Sequence, residues 1–175
     1  MITALSAFRD EAAAWCRGRN GWVRLPLLLA FVYYVAKKSI HPSCGNVLSP
    51  INLAFHESGH LLFSYFGRFF GVLGGSLLEF LMPFFLGIHF YRQREFFGIA
   101  LCFGWLATVF SGMAVYVGDA RAMALPLVTL FGAEPGVAHD WNYLLGKMGI
   151  LRYDFAAAAW IRVLGFMSLA VCLGP

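Results

Sequence analysis

A chain of 175 residues that is 60% hydrophobic, 17% aromatic and only 13% charged is too apolar for a soluble domain, in which about a quarter of the residues are charged. Its net charge of +4 is small and scattered, which excludes a nucleic-acid-binding surface and fits contact with anionic lipid headgroups. The four cysteines form no CxxC or CxxH pair, so neither a zinc knuckle nor a disulfide framework is expected. The composition predicts one all-α domain over residues 1–175, embedded in a lipid bilayer as a multi-span helical membrane protein.

Residues 1–20 predict a short helix with an apolar stripe that includes Phe8, Ala12 and Trp15. Such a helix either lies in the membrane interface or docks on the protein's own loops. No apolar segment of a cleaved signal peptide precedes the first predicted span, at about residues 22–36. That span therefore has to serve as the insertion signal.

Three longer apolar stretches follow, at about residues 72–91, 96–117 and 155–173, each long enough to cross the ~30 Å hydrocarbon core. Glycines at and after Gly67 interrupt the stretch 51–70, which predicts a half-helix that turns back instead of crossing. The expected architecture is about four transmembrane helices plus a re-entrant or short helix. On this topology most arginines of the connecting segments are cytoplasmic, and residues 51–66 share the non-cytoplasmic side with a loop region at 119–154.

Two histidines four residues apart, His56 and His60, lie on one face of a helix whose predicted N-cap is Ser49. They can hold one zinc ion between them. Glu57 then stands beside the metal as general base for a water molecule that zinc activates. With five histidines and five glutamates in the chain, the HExxH spacing is expected by chance about 0.004 times. The alternative is a helix whose polar residues merely pack or pair, but ionisable groups in apolar surroundings are costly and usually functional.

Catalytic zinc usually takes three protein ligands and leaves the fourth position to water, so a third ligand is required. His139 and Asp119 are the two candidates, and the one that does not bind is expected to orient a ligand imidazole. Asp140 is predicted as the N-cap of the next helix, and both Asp140 and Glu79 are candidates for the outer layer around the metal. Glu79 is expected to pair with Arg162 at equal depth in a neighbouring span, or alternatively to face the zinc cavity.

The segment His56-Glu57-Ser58-Gly59-His60, which lies in a helix of a multi-span protein and precedes a glycine-broken apolar stretch, resembles the site-2 protease class of intramembrane zinc metallopeptidases. In that class a later helix gives an aspartate as third ligand, usually in an Asp-Gly pair. The resemblance implies Asp119 for that role, although Ala120 follows it here and the usual Asn-Pro context before it is absent. Residues 50–75 carry the match.

The main functional hypothesis is a membrane-embedded zinc metallopeptidase that hydrolyses peptide bonds in a peptide or membrane-protein substrate, with Zn²⁺ as cofactor and Glu57 as general base. One alternative is a non-enzymatic membrane subunit or assembly factor with a structural metal site. Another is a zinc hydrolase that acts on a lipid or on another amide or ester. The active site is predicted near the non-cytoplasmic face of the membrane.

Overall fold

The computed structural model describes residues 2–126 and 139–174, and every regular element in these ranges is helical, as the composition predicts. Residues 127–138 of the predicted loop region lie outside the described residues. Three short 3₁₀ turns connect or extend the α-helices. The α-helices are α1 (Ile2–Cys16), α2 (Leu25–Ile40), α3 (Ser49–Phe63), α4 (Arg68–Arg92), α5 (Phe96–Gly118), α6 (Asp140–Lys147) and α7 (Asp154–Leu173).

Three helical segments are long and apolar enough to cross a membrane: α4, α5, and α7 together with the turn before it, Leu151–Leu173. Their mean hydropathies are 1.8, 1.8 and 1.9, and they correspond to the three longer stretches expected from the sequence. The fourth span expected from the sequence, at about residues 22–36, corresponds to α2, which is too short to be counted with these three. It has 16 residues and extends only about 24 Å at 1.5 Å per residue. That is less than the ~30 Å hydrocarbon core.

Helix α5 lies at the centre of the bundle and packs against α2, α4 and α7. A small residue permits the close approach of α2, because a Cβ on Gly104 would lie 2.5 Å from the Phe31 ring. Val35 and Ala107 bury their side chains at this contact. A second small residue, Gly165, lets α7 pack against α5 at Phe110.

Helices α3 and α4 form a tight hairpin, joined by a 3₁₀ turn at Ser64–Phe66 and by Gly67. Gly67 has φ 94°, a conformation that L side chains rarely adopt, and it ends the helix where the sequence predicts a break. The two helices approach so closely that a Cβ on Gly59 would overlap the carbonyl oxygen of Gly74. The hairpin places one face of α3 directly against the first half of α4.

Helix α1 docks on the protein at the turn between α4 and α5. Phe8 packs against Tyr91 and Phe96, with ring centroids 6.0 and 5.3 Å apart, and the carboxylate of Glu11 accepts a hydrogen bond from Arg94 at 2.6 Å. Ala12 is buried beneath the helix. Residues of α1 therefore contact the loop between α4 and α5, as one of the two alternatives predicts.

The expected pair between Glu79 and Arg162 is wrong. The Glu79 carboxylate points toward His56, whereas Arg162 is exposed on the outer face of α7 and forms no ion pair within the described ranges. Sequence position fixes the depth of a residue in a span, but the packing of the helices fixes which way its side chain points. The alternative, in which Glu79 faces the cavity, matches the structure.

Candidate metal centre

Helix α3 presents His56 and His60 on the face that packs against α4. Their imidazole rings are 4.7 Å apart between centroids and almost perpendicular, at 86°. The Nδ1 atom of His60 lies 2.9 Å from the carbonyl oxygen of Gly71, which can only accept, so Nδ1 is the donor and Nε2 is left for a metal. The Glu79 carboxylate lies 3.5 Å from Nδ1 of His56, and its negative charge favours a proton on that nitrogen.

The third donor that the structure brings to these rings is the carboxylate of Asp140, on α6. Its Oδ2 atom lies 3.0 Å from Nε2 of His56 and 3.3 Å from Nε2 of His60. Tetrahedral zinc with bonds of about 2.1 Å places its ligand atoms about 3.4 Å apart, so this donor set fits the ion closely. In the part of the chain that the structure describes, these three residues form the one group of metal-ligating side chains that meet in this way.

A small residue, Gly75 of α4, leaves space in front of the two imidazoles. A Cβ at this position would lie 2.7 Å from Nε2 of His60 and 2.9 Å from Nε2 of His56. Even a methyl group would therefore occupy the volume into which the donor atoms point. The residues present thus fit a bound metal ion both in their chemistry and in the room that they leave.

The N-cap of helix α6 lies one residue earlier than the sequence predicts. This shift decides which side chain reaches the two histidines. The N-cap is His139, not Asp140: the Nδ1 atom of His139 accepts a hydrogen bond from the backbone N–H of Asn142 at 3.2 Å. Asp140 is the first residue of the helix, and its backbone N–H donates to the Tyr116 hydroxyl at 3.1 Å. The Asp140 side chain is therefore not used for capping and turns toward α3.

Two further hydrogen bonds dock α6 on α4 and on the segment that follows α5. The side-chain amide of Asn142 donates to the carbonyl oxygen of Ala120 at 2.8 Å. The indole N–H of Trp141 donates to the hydroxyl of Ser76 at 3.2 Å, which ties α6 to α4 one residue after Gly75. Together with the buried side chains Leu144 and Leu145, they hold the start of α6 over the two histidines.

The carboxylate of Asp140 is ionised at neutral pH. Burial opposes its ionisation, but when their Nε2 atoms carry protons the imidazoles of His56 and His60 donate hydrogen bonds that outweigh burial and lower the pKa of Asp140 to about 2. Its side chain is only 12% exposed. A buried negative charge beside two imidazoles offsets part of the charge of a divalent cation, which is what a metal ligand must do.

His139 and Asp119, the predicted third ligands, lie beside the centre but not in its donor group. The Nε2 atom of His139 faces Asp119 at 3.5 Å, and its ring packs on Tyr116 at 4.3 Å between centroids. Burial lowers the pKa of His139, so the ring stays neutral. The two oxygens of Asp119 accept hydrogen bonds from the backbone N–H groups of Ala124 and Leu125, both at 3.0 Å.

Glu57 lies on the wall of a cavity of about 770 Å³ that opens beside His56, His60 and Asp140. The cavity continues between α2, α3 and α5, where it is lined by both polar and apolar side chains. Within the described residues no hydrogen bond or ion pair restrains the Glu57 carboxylate, which is partly exposed to the cavity. Glu57 therefore faces the same cavity as the donor group.

Sequence reasoning missed the parts played by Gly75 and Tyr116. From the sequence alone, Gly75 is predicted only to break the apolar stretch. A pair of glycines inside a helix, such as Gly74 and Gly75, can also indicate a close contact with a neighbouring helix, and Gly75 makes such a contact with the two imidazoles. Tyr116 carries no sequence signal, because tyrosine is common at the ends of membrane spans for reasons unrelated to a site.

Comparison of the chain with protein-family models, with curated proteins and with solved structures finds no match in any of the three.

Proposed function

We propose that this protein is a membrane-embedded zinc metallopeptidase, with His56, His60 and Asp140 as the ligands. The main support is that one carboxylate oxygen of Asp140 lies 3.0 and 3.3 Å from the Nε2 atoms of the two histidines. Gly75, which has no side chain, leaves space in front of these atoms. Three protein ligands, one of them a carboxylate, with space left for a fourth, are typical of catalytic zinc. In this proposal Asp140 is the third ligand, in place of His139 or Asp119, the two candidates from the sequence.

When bound, zinc would supply Lewis acidity, which polarises a substrate carbonyl and makes a neighbouring water molecule more acidic. Glu57 takes a proton from the attacking water while the water oxygen forms a bond to the carbonyl carbon. Glu57 then gives that proton to the amine nitrogen as the C–N bond breaks. Glu79 and the Gly71 carbonyl hold the two imidazoles in place during these steps.

We also propose that α3 lies inside the bilayer without crossing it, with the turn at Gly67 at the non-cytoplasmic surface. Its 15 residues extend about 22 Å, less than the ~30 Å core, and the chain reverses direction at Gly67 into α4, which starts at that surface. Gly75 lies seven residues into α4, about 10 Å along the helix from Arg68. The reaction would then take place below the membrane surface, on a substrate segment that enters the cavity from the bilayer or from the non-cytoplasmic side.

The test is metal content and turnover of the purified full-length chain. We expect about one zinc ion per chain in the wild type and none in His56→Ala. Glu57→Gln keeps the shape of the side chain but removes the base, so zinc should remain and cleavage of a quenched-fluorescent transmembrane peptide should fall about 10²-fold or more. Ser58→Ala, at the exposed neighbouring position, is the matched control and should keep both.

The same preparation distinguishes the alternatives. Cleavage of a phospholipid ester with no cleavage of the peptide would replace the peptidase by a lipid hydrolase. Zinc held with four protein ligands and no turnover of either probe would indicate a structural metal site in a non-enzymatic subunit. Full peptide cleavage by Glu57→Gln would show that this centre is not the catalyst.

A further inference from the structure

A second cavity, of about 700 Å³, lies at the opposite end of α4 and α5 from the metal centre. It opens beneath α1 and is walled by α1, α2, α4, α5 and the end of α7, and none of its lining residues lines the first cavity. Most of the side chains that face it are apolar, among them Phe84, Ile88, Phe103, Leu106 and Val171. Its interior suits a hydrocarbon chain.

The rim of this cavity is cationic. Arg9, Arg19 and Arg24 line it, and no carboxylate lies within ion-pair distance of any of the three in the described part of the chain. The guanidinium groups of Arg19 and Arg24 both stack on the Trp15 ring, at 3.9 and 4.5 Å from its centroid. Arg24 also lies 5.1 Å from the centroid of the Phe97 ring.

These aromatic contacts hold the two guanidinium groups beside the apolar interior without neutralising them. Arg24 is half-buried, where a cation without a counterion is costly. An anion placed at the rim would remove that cost, and arginine binds phosphate oxygens through two parallel hydrogen bonds. The rim therefore selects a phosphate or a similar anion, and the interior selects an acyl chain.

We propose that this cavity binds one molecule of an anionic phospholipid, with its phosphate at Arg19 and Arg24 and one acyl chain between α1, α4 and α5. The volume lies within the range of about 300–1,000 Å³ that is usual for small-molecule sites. The tryptophan and the arginines lie where an interfacial anchor is expected, at the ends of α4 and α5. The lipid would bind as a discrete ligand that completes the contact between α1 and the bundle.

Native mass spectrometry of the full-length chain in detergent micelles tests this proposal. The chain is titrated with phosphatidylglycerol, with phosphatidylcholine of the same acyl chains, and with glycerol 3-phosphate, which has the headgroup anion but no chain. We expect one phosphatidylglycerol per chain, bound about tenfold or more tightly than phosphatidylcholine, and no binding of glycerol 3-phosphate at the same concentration. Equal affinity for the two lipids, or binding of glycerol 3-phosphate as tight as that of phosphatidylglycerol, would overturn the proposal.

Variants of the rim arginines test whether these residues cause the preference for the anionic lipid. Each basic residue near an anionic lipid contributes about fivefold in affinity, so Arg19→Gln and Arg24→Gln should each lose about fivefold and the double variant about 25-fold. Arg17→Gln is the matched control, because Arg17 has the same charge, is exposed and does not line the cavity. A loss in Arg17→Gln as large as in Arg19→Gln would reduce the effect to general surface charge and contradict the site.

A second variant separates the interior from the rim. Ala100→Phe places a ring inside the cavity and should weaken both lipids while leaving the arginines in place. Circular dichroism and gel filtration establish that each variant is folded before its lipid affinity is compared. Unchanged phosphatidylglycerol binding in a folded Ala100→Phe variant would exclude the acyl chain from the cavity.

Discussion

The Oδ2 atom of Asp140 lies 3.0 Å from Nε2 of His56, although 84 residues separate them in the chain. The same oxygen lies 3.3 Å from Nε2 of His60, so one carboxylate joins α6 to the hairpin of α3 and α4. The two histidines come from one helical turn and need little tertiary structure to meet. The third donor depends wholly on how α6 docks on the spans.

The first prediction concerns Asp140. Asp140→Ala removes a donor from the group and should abolish stoichiometric zinc binding, as His60→Ala should. Asp119→Asn changes a residue that contacts His139 but not the donor group. Loss of such an outer partner typically costs 10–100-fold in metal affinity or activity, so zinc should remain bound at stoichiometric concentrations. Zinc stoichiometry and competition with a chelator measure both effects.

His139→Ala provides a second comparison, because it removes the N-cap of α6. Loss of a side-chain cap costs about 1 kcal/mol, so this variant should lower the melting temperature and weaken zinc binding only through the looser docking of α6. The assignment of Asp140 fails if Asp140→Ala keeps tight zinc while Asp119→Asn or His139→Ala loses it.

The second prediction uses Gly75. Gly75→Ala adds a methyl group 2.7 Å from Nε2 of His60 and 2.9 Å from Nε2 of His56, so the ion and the methyl group compete for the same volume. Zinc affinity should fall by at least about tenfold while the helix itself is, if anything, favoured, because alanine has the higher helix propensity. Equilibrium dialysis against zinc measures the loss.

Gly112→Ala is the matched control for this change. Gly112 lies inside α5, and a Cβ at that position would meet nothing within 4 Å. The control variant should keep wild-type zinc affinity. Equal affinities in the two alanine variants would show that the space in front of the histidines is not where the ion lies.

The pair His56 and His60 and the helix that carries them could be read from the sequence, because a four-residue spacing is a local property of one helix. The break at Gly67 could be read for the same reason, since it depends on backbone conformation alone. Both predicted N-caps are one residue off: α3 already begins at Ser49, and His139 caps α6 in place of Asp140.

These two errors of one residue have unequal consequences. At α3 the error leaves the spacing of the histidines intact. At α6 it exchanges the directions of two neighbouring side chains, so that Asp140 rather than His139 reaches the imidazoles. Histidine is a rare cap, and here it is held by stacking on Tyr116, a tertiary contact that sequence spacing does not encode.

The third prediction concerns the ion pair between Arg121 and Asp154, which joins the end of α5 to the start of α7. The Arg121 Nε atom donates to Asp154 Oδ2 at 2.8 Å, and Nη2 lies 2.8 Å from Oδ1. The Asp154 side chain is fully buried, whereas that of Arg121 is 45% exposed. Arg121→Ala would leave a buried carboxylate without its partner and should lower the melting temperature clearly.

The double variant Arg121→Ala with Asp154→Asn tests the reason for that loss. Removing the unpaired charge should restore part of the stability, so the two substitutions should be non-additive in a thermal-melting cycle. Arg152→Ala is the control, because Arg152 is exposed and forms no ion pair among the described residues. Additive effects of the two substitutions would show that the pair contributes nothing to stability.

The last prediction concerns the topology. The turn after α4 contains Gln93, and α6 ends at Lys147; both residues are exposed and lie at opposite ends of α5. If α5 crosses the bilayer, single cysteines at these two positions should react with a membrane-impermeant maleimide from opposite sides. The positive-inside rule places Gln93, between Arg92 and Arg94, in the cytoplasm.

The labelling has to be done in a chain without its four native cysteines, because Cys16 is exposed and would react. A third single cysteine, at exposed Tyr65 in the turn between α3 and α4, locates the metal centre relative to the membrane. Since α4 and α5 each run the length of a span, Tyr65 should label with Lys147 and opposite to Gln93. Labelling of Tyr65 from the side of Gln93 would mean that α4 does not cross, and the site would then lie outside the bilayer.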